Sequence, residues 1–221
     1  MINLISINPR EVLRHISQAE YVAHCGLLRS PKNASHIDQA RLIGARLAAD
    51  NDCFVGYRPA SIKRFLANAN PAGCLFFNVP DGIIRDAQGI RGDALLTLER
   101  WHEWHPLVEV AGFPPAFTLQ NGMHEHAMPW TEMAALFIGS SDSYRRGSHA
   151  SYVRDMIKEA KRRGKWVHVG RVNSMRSIRY WRDAGADSFD GSGYTLKPIR
   201  VSVHLPYHAG ACQLSLWSSL L

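Results

Sequence analysis

The feature that most constrains this chain is an alternation: short apolar runs of strand length recur between stretches whose apolar residues return with helical period. Such an order builds parallel strands joined by helical crossovers, because a parallel pair cannot be closed by a tight turn. Ser35 opens a predicted helix whose apolar stripe (Ile37, Ala40, Leu42, Ile43, Leu47) runs to near Asp50, and a second helix covers Ser61 to Ala69. Cys74 to Val79 reads as a buried strand closed by Pro80, and Asp93 to Trp104 as a helix with Leu95, Leu98 and Trp101 on one side. Strands follow at Ala116 to Leu119 and Ala135 to Ile138. A helix runs from Tyr152 to Arg163 with Gly164 as its stop. Trp166 to Val169 is a strand, Ser174 to Ala184 a helix, and Asp187 to Phe189 the start of another strand. The stretch from Arg200 to Leu221 fits no element.

Repeated βα units suit an open doubly wound sheet or a closed barrel. At 221 residues the chain is shorter than the about 250 of a typical barrel, which favours the open sheet. The glycines argue the other way: neither GxGxxG nor GxxxxGK[ST] follows any strand. The reading is a compact α/β (β/α)8 TIM-type barrel, and with no internal repeat or Ser/Pro-rich linker, residues 1–221 form one domain.

Lys and Arg number 26 against 19 Asp and Glu, a formal charge of +7, which suits a polyanionic partner without naming it. No apolar run is long enough to span a bilayer, and Met1 to Pro9 lacks the basic start and apolar stretch of a signal peptide. Cysteines 25, 53, 74 and 212 form no CxxC pair, so neither a zinc ribbon nor a disulfide framework is expected, and a reducing cytoplasm is the default. His102 with His105, His124 with His126, and His204 with His208 and Cys212 are partial metal sets, none of them a four-ligand pattern.

Chemistry in parallel barrels gathers at the carboxyl ends of the strands. The residues just past each run are Asp81, Gln120 with Asn121, Gly139, Gly170 with Arg171, and Asp190, to which Asp50 in LAADNDCF is added. Each has a plainer reading: Asp81 in PDG, Asp50 in ADND and Asp190 in FDGSG all suit turns, and Gln120 and Asn121 could simply open the NGM turn. Joint placement on one rim is what raises them to candidates.

These segments, spanning residues 50 to 193, resemble in content and order the tRNA-guanine transglycosylase superfamily, in particular its short, often phage-encoded branch related to DNA-modifying transglycosylases that insert 7-deazaguanines. GADSFDGSG resembles the family's GxDxFD nucleophile motif, with Gly185, Asp187, Phe189 and Asp190 on the matching positions. LFFNVPD resembles the base-recognition strand, FTLQNG the glutamine-bearing strand, LFIGSS the glycine-containing strand and ADNDCF the first acidic motif, from which it departs at Asp52 and Cys53.

The resemblance implies a pentosyltransferase that exchanges guanine in DNA for a free 7-deazaguanine base such as the 7-cyano form. Asp190 would form a covalent glycosyl intermediate and Asp50 would serve as acid and base. Asp81 would accept N1–H and the 2-amino group of guanine, while Gln120 and the Gly139 backbone N–H would donate to O6. Phe54, Phe137 and Tyr194 are aromatic candidates for stacking or for core.

Arg145, Arg146 and Arg171 are the candidate phosphate contacts, whereas the run Lys161, Arg162, Arg163 and Lys165 suits a helix C-terminus away from the site. No cofactor and no metal is implied: the CxCxxC zinc segment of longer relatives is absent, which makes DNA the preferred nucleic acid and leaves tRNA as the alternative. The resemblance also admits a homodimer, and a location in the host cytoplasm if the chain is phage-encoded. A catalytically inert nucleic-acid-binding relative and an unrelated barrel hydrolase with paired carboxylates are the other readings.

Overall fold

The computed structural model describes residues 1–32, 37–87 and 89–209. Its strands in chain order are β1 (Ile2–Ile5), β2 (Cys25–Arg29), β3 (Arg46–Ala49), β4 (Cys74–Asn78), β5 (Ile83–Asp86), β6 (Gly89–Gly92), β7 (Pro115–Leu119), β8 (Ala135–Ile138), β9 (Trp166–Val169) and β10 (Ser188–Phe189). All but β5 and β6 close into an eight-stranded parallel barrel in which β10 returns to pair with β1. The helices are α1 (Pro9–Leu13), α2 (Gln18–His24), α3 (Ile37–Leu42), α4 (Pro59–Asn68), α5 (Ala94–Val110), α6 (Ala150–Arg162), α7 (Met175–Asp183), α8 (Ser192–Leu196) and α9 (Arg200–Ala209). The chain closes a barrel at this length by using minimal strands, β10 having two residues, and short helices early in the chain. No helix among the described residues is long and apolar enough to cross a membrane.

Strand alternation sorts the side chains into two layers. Ile2, Leu4, Leu28, Ala48, Phe76, Ala116, Ala135 and Phe137 fill the barrel interior, the two phenylalanines compensating for three alanines. Their neighbours Phe77, Phe117, Leu136, Ile138, Val167, Val169 and Phe189 point outward against Trp101, Trp104, Val153, Ile157 and Trp181 of the helices. Helix starts are set locally: Ser17 and Glu20 form a capping box on α2, and Asp93 and Ser174 cap α5 and α7.

Several features differ from the sequence reading, among them α8 and α9, the latter over Arg200–Ala209 where the sequence fits no element. The helix expected to reach Asp50 ends at Leu42, because Gly44 takes a left-handed φ of 73° and the Leu47–Ala49 run is buried as strand β3; its Ser35 start lies outside the described residues. Helix α5 continues six residues past Trp104, to Val110, through Pro106. The β5–β6 hairpin between β4 and α5 was not read at all. Neither were β1, α1, α2 and β2, since β2 begins at Cys25 immediately after α2 ends at His24, with no turn residue between them.

The basic run does sit at the barrel's amino end. Lys161 pairs with Asp187, Arg162 and Arg163 with Glu159, and Lys165 donates to the Met133 carbonyl. Arg200 begins α9, which packs on α7, where Arg182 donates to the Tyr207 carbonyl and Arg179 lies over the Tyr207 ring.

Candidate active site

The interior alternation continues past the strand ends, and that continuation builds the site. Two residues beyond the inward-facing Ala48, Thr118, Phe137, His168 and Ser188 lie Asp50, Gln120, Gly139, Gly170 and Asp190, which therefore emerge on the inner side of the carboxyl rim. Asp81 breaks the two-residue step, three beyond the inward Asn78, with Pro80 between them. All six line one cavity of about 210 Å³, together with Asn51, Phe54 and Arg171. That is smaller than the about 300–1,000 Å³ of drug-sized sites, so it suits one small ring system. A wider chamber of about 440 Å³ adjoins it, lined by Ser6, Leu28, Asn173, Gly191, Ser192 and Thr195. Asp50, Asp190, Phe54 and Arg171 line both spaces and so form the neck between them.

Each carboxylate is held by side chains from other strand ends. Asn78 donates to Asp50 (3.1 Å) and is itself oriented by the Thr118 hydroxyl, which donates to its carbonyl oxygen at 2.7 Å. Asp81 accepts from Gln120 Nε2 at 2.5 Å and from Asn51 Nδ2 at 3.1 Å; Asn51 also donates to the Val79 carbonyl and accepts from the Cys53 N–H. Asp190 lies 2.9 Å from Nε2 of the fully buried His168 and accepts from the Arg171 N–H at 3.2 Å.

Asp50 is pushed up to about 7, first by burial, then against the Asn78 hydrogen bond by the nearby charges of Asp190, Asp52 and Asp81, and among the described residues no cation pairs with it. Burial also raises Asp81, and the hydrogen bonds from Gln120 and Asn51 oppose that rise. The Cys53 thiol, buried beside the site, is raised far above its ordinary value and is no thiolate nucleophile at neutral pH.

Two expected contacts are corrected. Gly139 lines the cavity, but its N–H already donates to the Leu119 carbonyl (3.1 Å) and cannot donate to a ligand. What Gly139 contributes is space: a Cβ there would lie 2.6 Å from Thr118 Cγ2 and 3.0 Å from Gln120 Nε2. Arg145 is not a phosphate contact. It is buried, donates to the Ile138 and Gly170 carbonyls, pairs with Asp142 and lies over Trp181, bracing β8 against β9.

The other arginines divide. Arg146 pairs with Asp142, donates to Ser177 and lines a separate cleft. Arg171 does stand at the neck, in a left-handed backbone conformation (φ 62°) rare for a side-chain-bearing residue, its guanidinium on the Gly139 and Ser140 carbonyls and over the Phe54 ring.

Among the aromatic candidates, Phe54 is exposed at the neck and Phe137 lines the cavity, while Tyr194 is buried core, bonded to His204 Nδ1. The His208 side chain and Cys212 lie outside the described residues, and His105 stacks on Trp101. Among the described residues no three His, Cys, Asp or Glu side chains gather as metal ligands. The sequence reading missed Asn51, Asn78, His168 and Gly92. The signal for Asn78 and His168 was their inward register on strands whose other inward residues are apolar. A Cβ on Gly92 would overlap the Gln120 carboxamide.

No family model and no curated protein matches the chain. Solved structures that share its fold include two enzymes. One is a ligand-free tryptophan synthase from M. tuberculosis (12% identity, TM-score 0.53, covering 95% of this chain and 89% of that one). The other is a 4-hydroxy-2-oxoglutarate aldolase (14% identity, TM-score 0.53, covering 95% and 92%). At these identities the likeness establishes the barrel alone.

Proposed function

We propose that this chain is an enzyme of the guanine transglycosylase kind, exchanging guanine in DNA for a free 7-deazaguanine base. The observation that carries the reading is the neck: two carboxylates, Asp50 and Asp190, stand between a ring-sized cavity and a wider open chamber. A nucleotide with its base in the first space and its sugar and phosphate in the second would place C1′ between them. Within the cavity, Asp81 offers acceptor lone pairs for the adjacent N1–H and 2-amino donors of guanine. Gln120 has one N–H beyond the bond to Asp81, available for O6. Adenine presents no such pair of donors. Phe54 offers a flat face at the mouth and Arg171 a charge for the backbone phosphate.

In the first half-reaction an Asp190 carboxylate oxygen attacks C1′. The C1′–N9 bond breaks, and guanine leaves with that electron pair and the proton of neutral Asp50. In the second, Asp50, now ionised, takes the N9 proton of the incoming base, whose nitrogen attacks C1′ and releases the Asp190 carboxylate. An acid raised to about 7 suits this double duty. No lysine stands among the described residues lining the cavity, which weighs against a Schiff-base reaction. DNA is the preferred substrate in this reading and tRNA the alternative.

The test offers guanine-containing DNA and tRNA with a labelled 7-deazaguanine. Label in DNA, with a covalent protein–DNA adduct in the mass spectrum that Asp190→Asn abolishes, is expected. Label in tRNA alone would reverse the substrate, and free guanine without incorporation would mark a hydrolase.

A further inference from the structure

The His168 imidazole is a costly group to place in a barrel interior whose apolar layer is Phe, Leu, Ile and Ala and whose other polar members, Asn78, Thr118 and Ser188, are smaller. It is fully buried and packs against the rings of Phe76 and Phe137. Its two nitrogens have different partners, Nδ1 at 2.8 Å from the Ser188 hydroxyl and Nε2 at 2.9 Å from Asp190 Oδ2. Ser188 in turn accepts from the Trp166 indole N–H at 2.8 Å.

Each link in this chain has one direction. An indole nitrogen only donates, so the Ser188 oxygen accepts from it, and among the contacts of Ser188 the acceptor for its single hydroxyl proton is His168 Nδ1. Nδ1 is then the acceptor, and the proton of the neutral ring is on Nε2, aimed at Asp190. A doubly protonated ring would leave the Ser188 proton without an acceptor among these contacts in a dry interior.

We propose that His168, fixed in this tautomer by Ser188 and Trp166, is a positioning residue for Asp190. It pins Oδ2 so that Oδ1 faces the sugar carbon, and it stabilises the carboxylate each time it is released. The inference rests on the transglycosylase reading and deepens it. As Oδ1 bonds to C1′ and the C1′–N9 pair departs with the base, Oδ2 changes from a carboxylate to an ester carbonyl oxygen. When the incoming nitrogen displaces Oδ1, the bonding pair returns to the carboxylate and the charge shared by Oδ2 is restored. The His168 proton stays on Nε2 throughout. The donor therefore favours breakdown of the intermediate, where negative charge reappears on Asp190, beyond simply keeping the carboxylate in place.

The experiment compares wild type, His168→Leu, His168→Gln and Ser188→Ala. The readouts are steady-state base exchange, adduct level by intact-mass spectrometry, and the histidine tautomer from long-range ¹H–¹⁵N correlations on ¹⁵N-histidine-labelled protein. Loss of a hydrogen bond to a charged group predicts a fall in kcat of about 10- to 150-fold for His168→Leu. KM for the nucleic acid should fall along with kcat, leaving kcat/KM within about threefold, since the slowed step is breakdown of the adduct and His168 does not reach the open site. The adduct should persist or accumulate, and His168→Gln, which keeps a donor, should recover part of the rate. Ser188→Ala, the milder change should His168→Leu fail to fold, should slow exchange by a smaller factor.

Wild-type spectra should show protonated Nε2 and bare Nδ1. A protonated Nδ1, a His168→Leu kcat equal to wild type, or equal losses in the Leu and Gln variants would overturn the proposal while leaving the transglycosylase reading intact. A wild-type protein that forms no adduct and transfers no base would remove the reading itself, and this role with it.

Discussion

Replacing Asp50 with Asn tests the electrostatics of the site without assuming a substrate. The carboxyl is pushed from 3.8 to about 7 in the folded protein, equivalent to at most about 4 kcal/mol of preference for the neutral form. That is an upper limit, because the neck is open to water. Between about pH 4 and 7 the folded protein keeps a proton that the unfolded chain has lost, so stability falls as pH rises through this window and levels off above it. An amide of the same shape keeps an acceptor for Asn78 and carries no such penalty. Asp50→Asn should therefore lie within about 1 kcal/mol of wild type near pH 4.5 and be more stable at pH 8.5, by up to about 4 kcal/mol, on the order of 10 °C in Tm. Urea unfolding of both proteins at the two pH values measures the difference, in which effects common to both, such as the raised Asp81, cancel. An unchanged gap between the two proteins at pH 4.5 and 8.5 would mean that Asp50 is solvated and ionised at neutral pH, removing the basis for its acid role.

The same group sets a rate profile: adduct formation, which needs neutral Asp50, should be level below about pH 7 and fall tenfold per pH unit above it, as measured in single-turnover assays. Gly92→Ala should drive the Gln120 carboxamide off Asp81 and weaken base binding by at least about tenfold, with little loss of Tm because Gly92 lies on the hairpin rather than in the barrel; a crystal structure with Gln120 unmoved would refute this. Arg145→Met should destabilise by about 1–3 kcal/mol for the Gly170 carbonyl left without its donor, the Ile138 carbonyl keeping the Gly170 N–H, yet leave the salt dependence of nucleic-acid binding unchanged. Arg171→Ala should lower the magnitude of that salt slope by about one, read from titrations at several salt concentrations.

The barrel was legible because apolar runs such as CLFFN, ALFI and WVHV are strands by length and composition, and helical stripes such as Val153, Ile157 and Ala160 lie between them. Part of the rim followed from the same period, since strand alternation carries past the last paired residue and delivers Gln120 and Asp190 to the inside, whereas Asp50 was added from ADNDCF because its own strand reads as the end of a helix. Local sequence was silent where a turn signal was missing, as between α2 and β2, and ambiguous where Leu47 fits both a helical stripe and a buried strand.

Tertiary structure alone decided the properties that depend on which groups meet. Asp50 is an acid near neutrality because burial and the carboxylates Asp190 and Asp81, brought from other strand ends, surround it, with Asp52 the one contribution from its neighbours in the chain. The Gly139 N–H belongs to the strand ladder, and Arg145 turned inward because two strand-end carbonyls and Asp142 offered it partners. Periodicity places a residue on a face, whereas its charge, its proton and its partners are set by contacts between segments far apart in sequence, which no local pattern encodes.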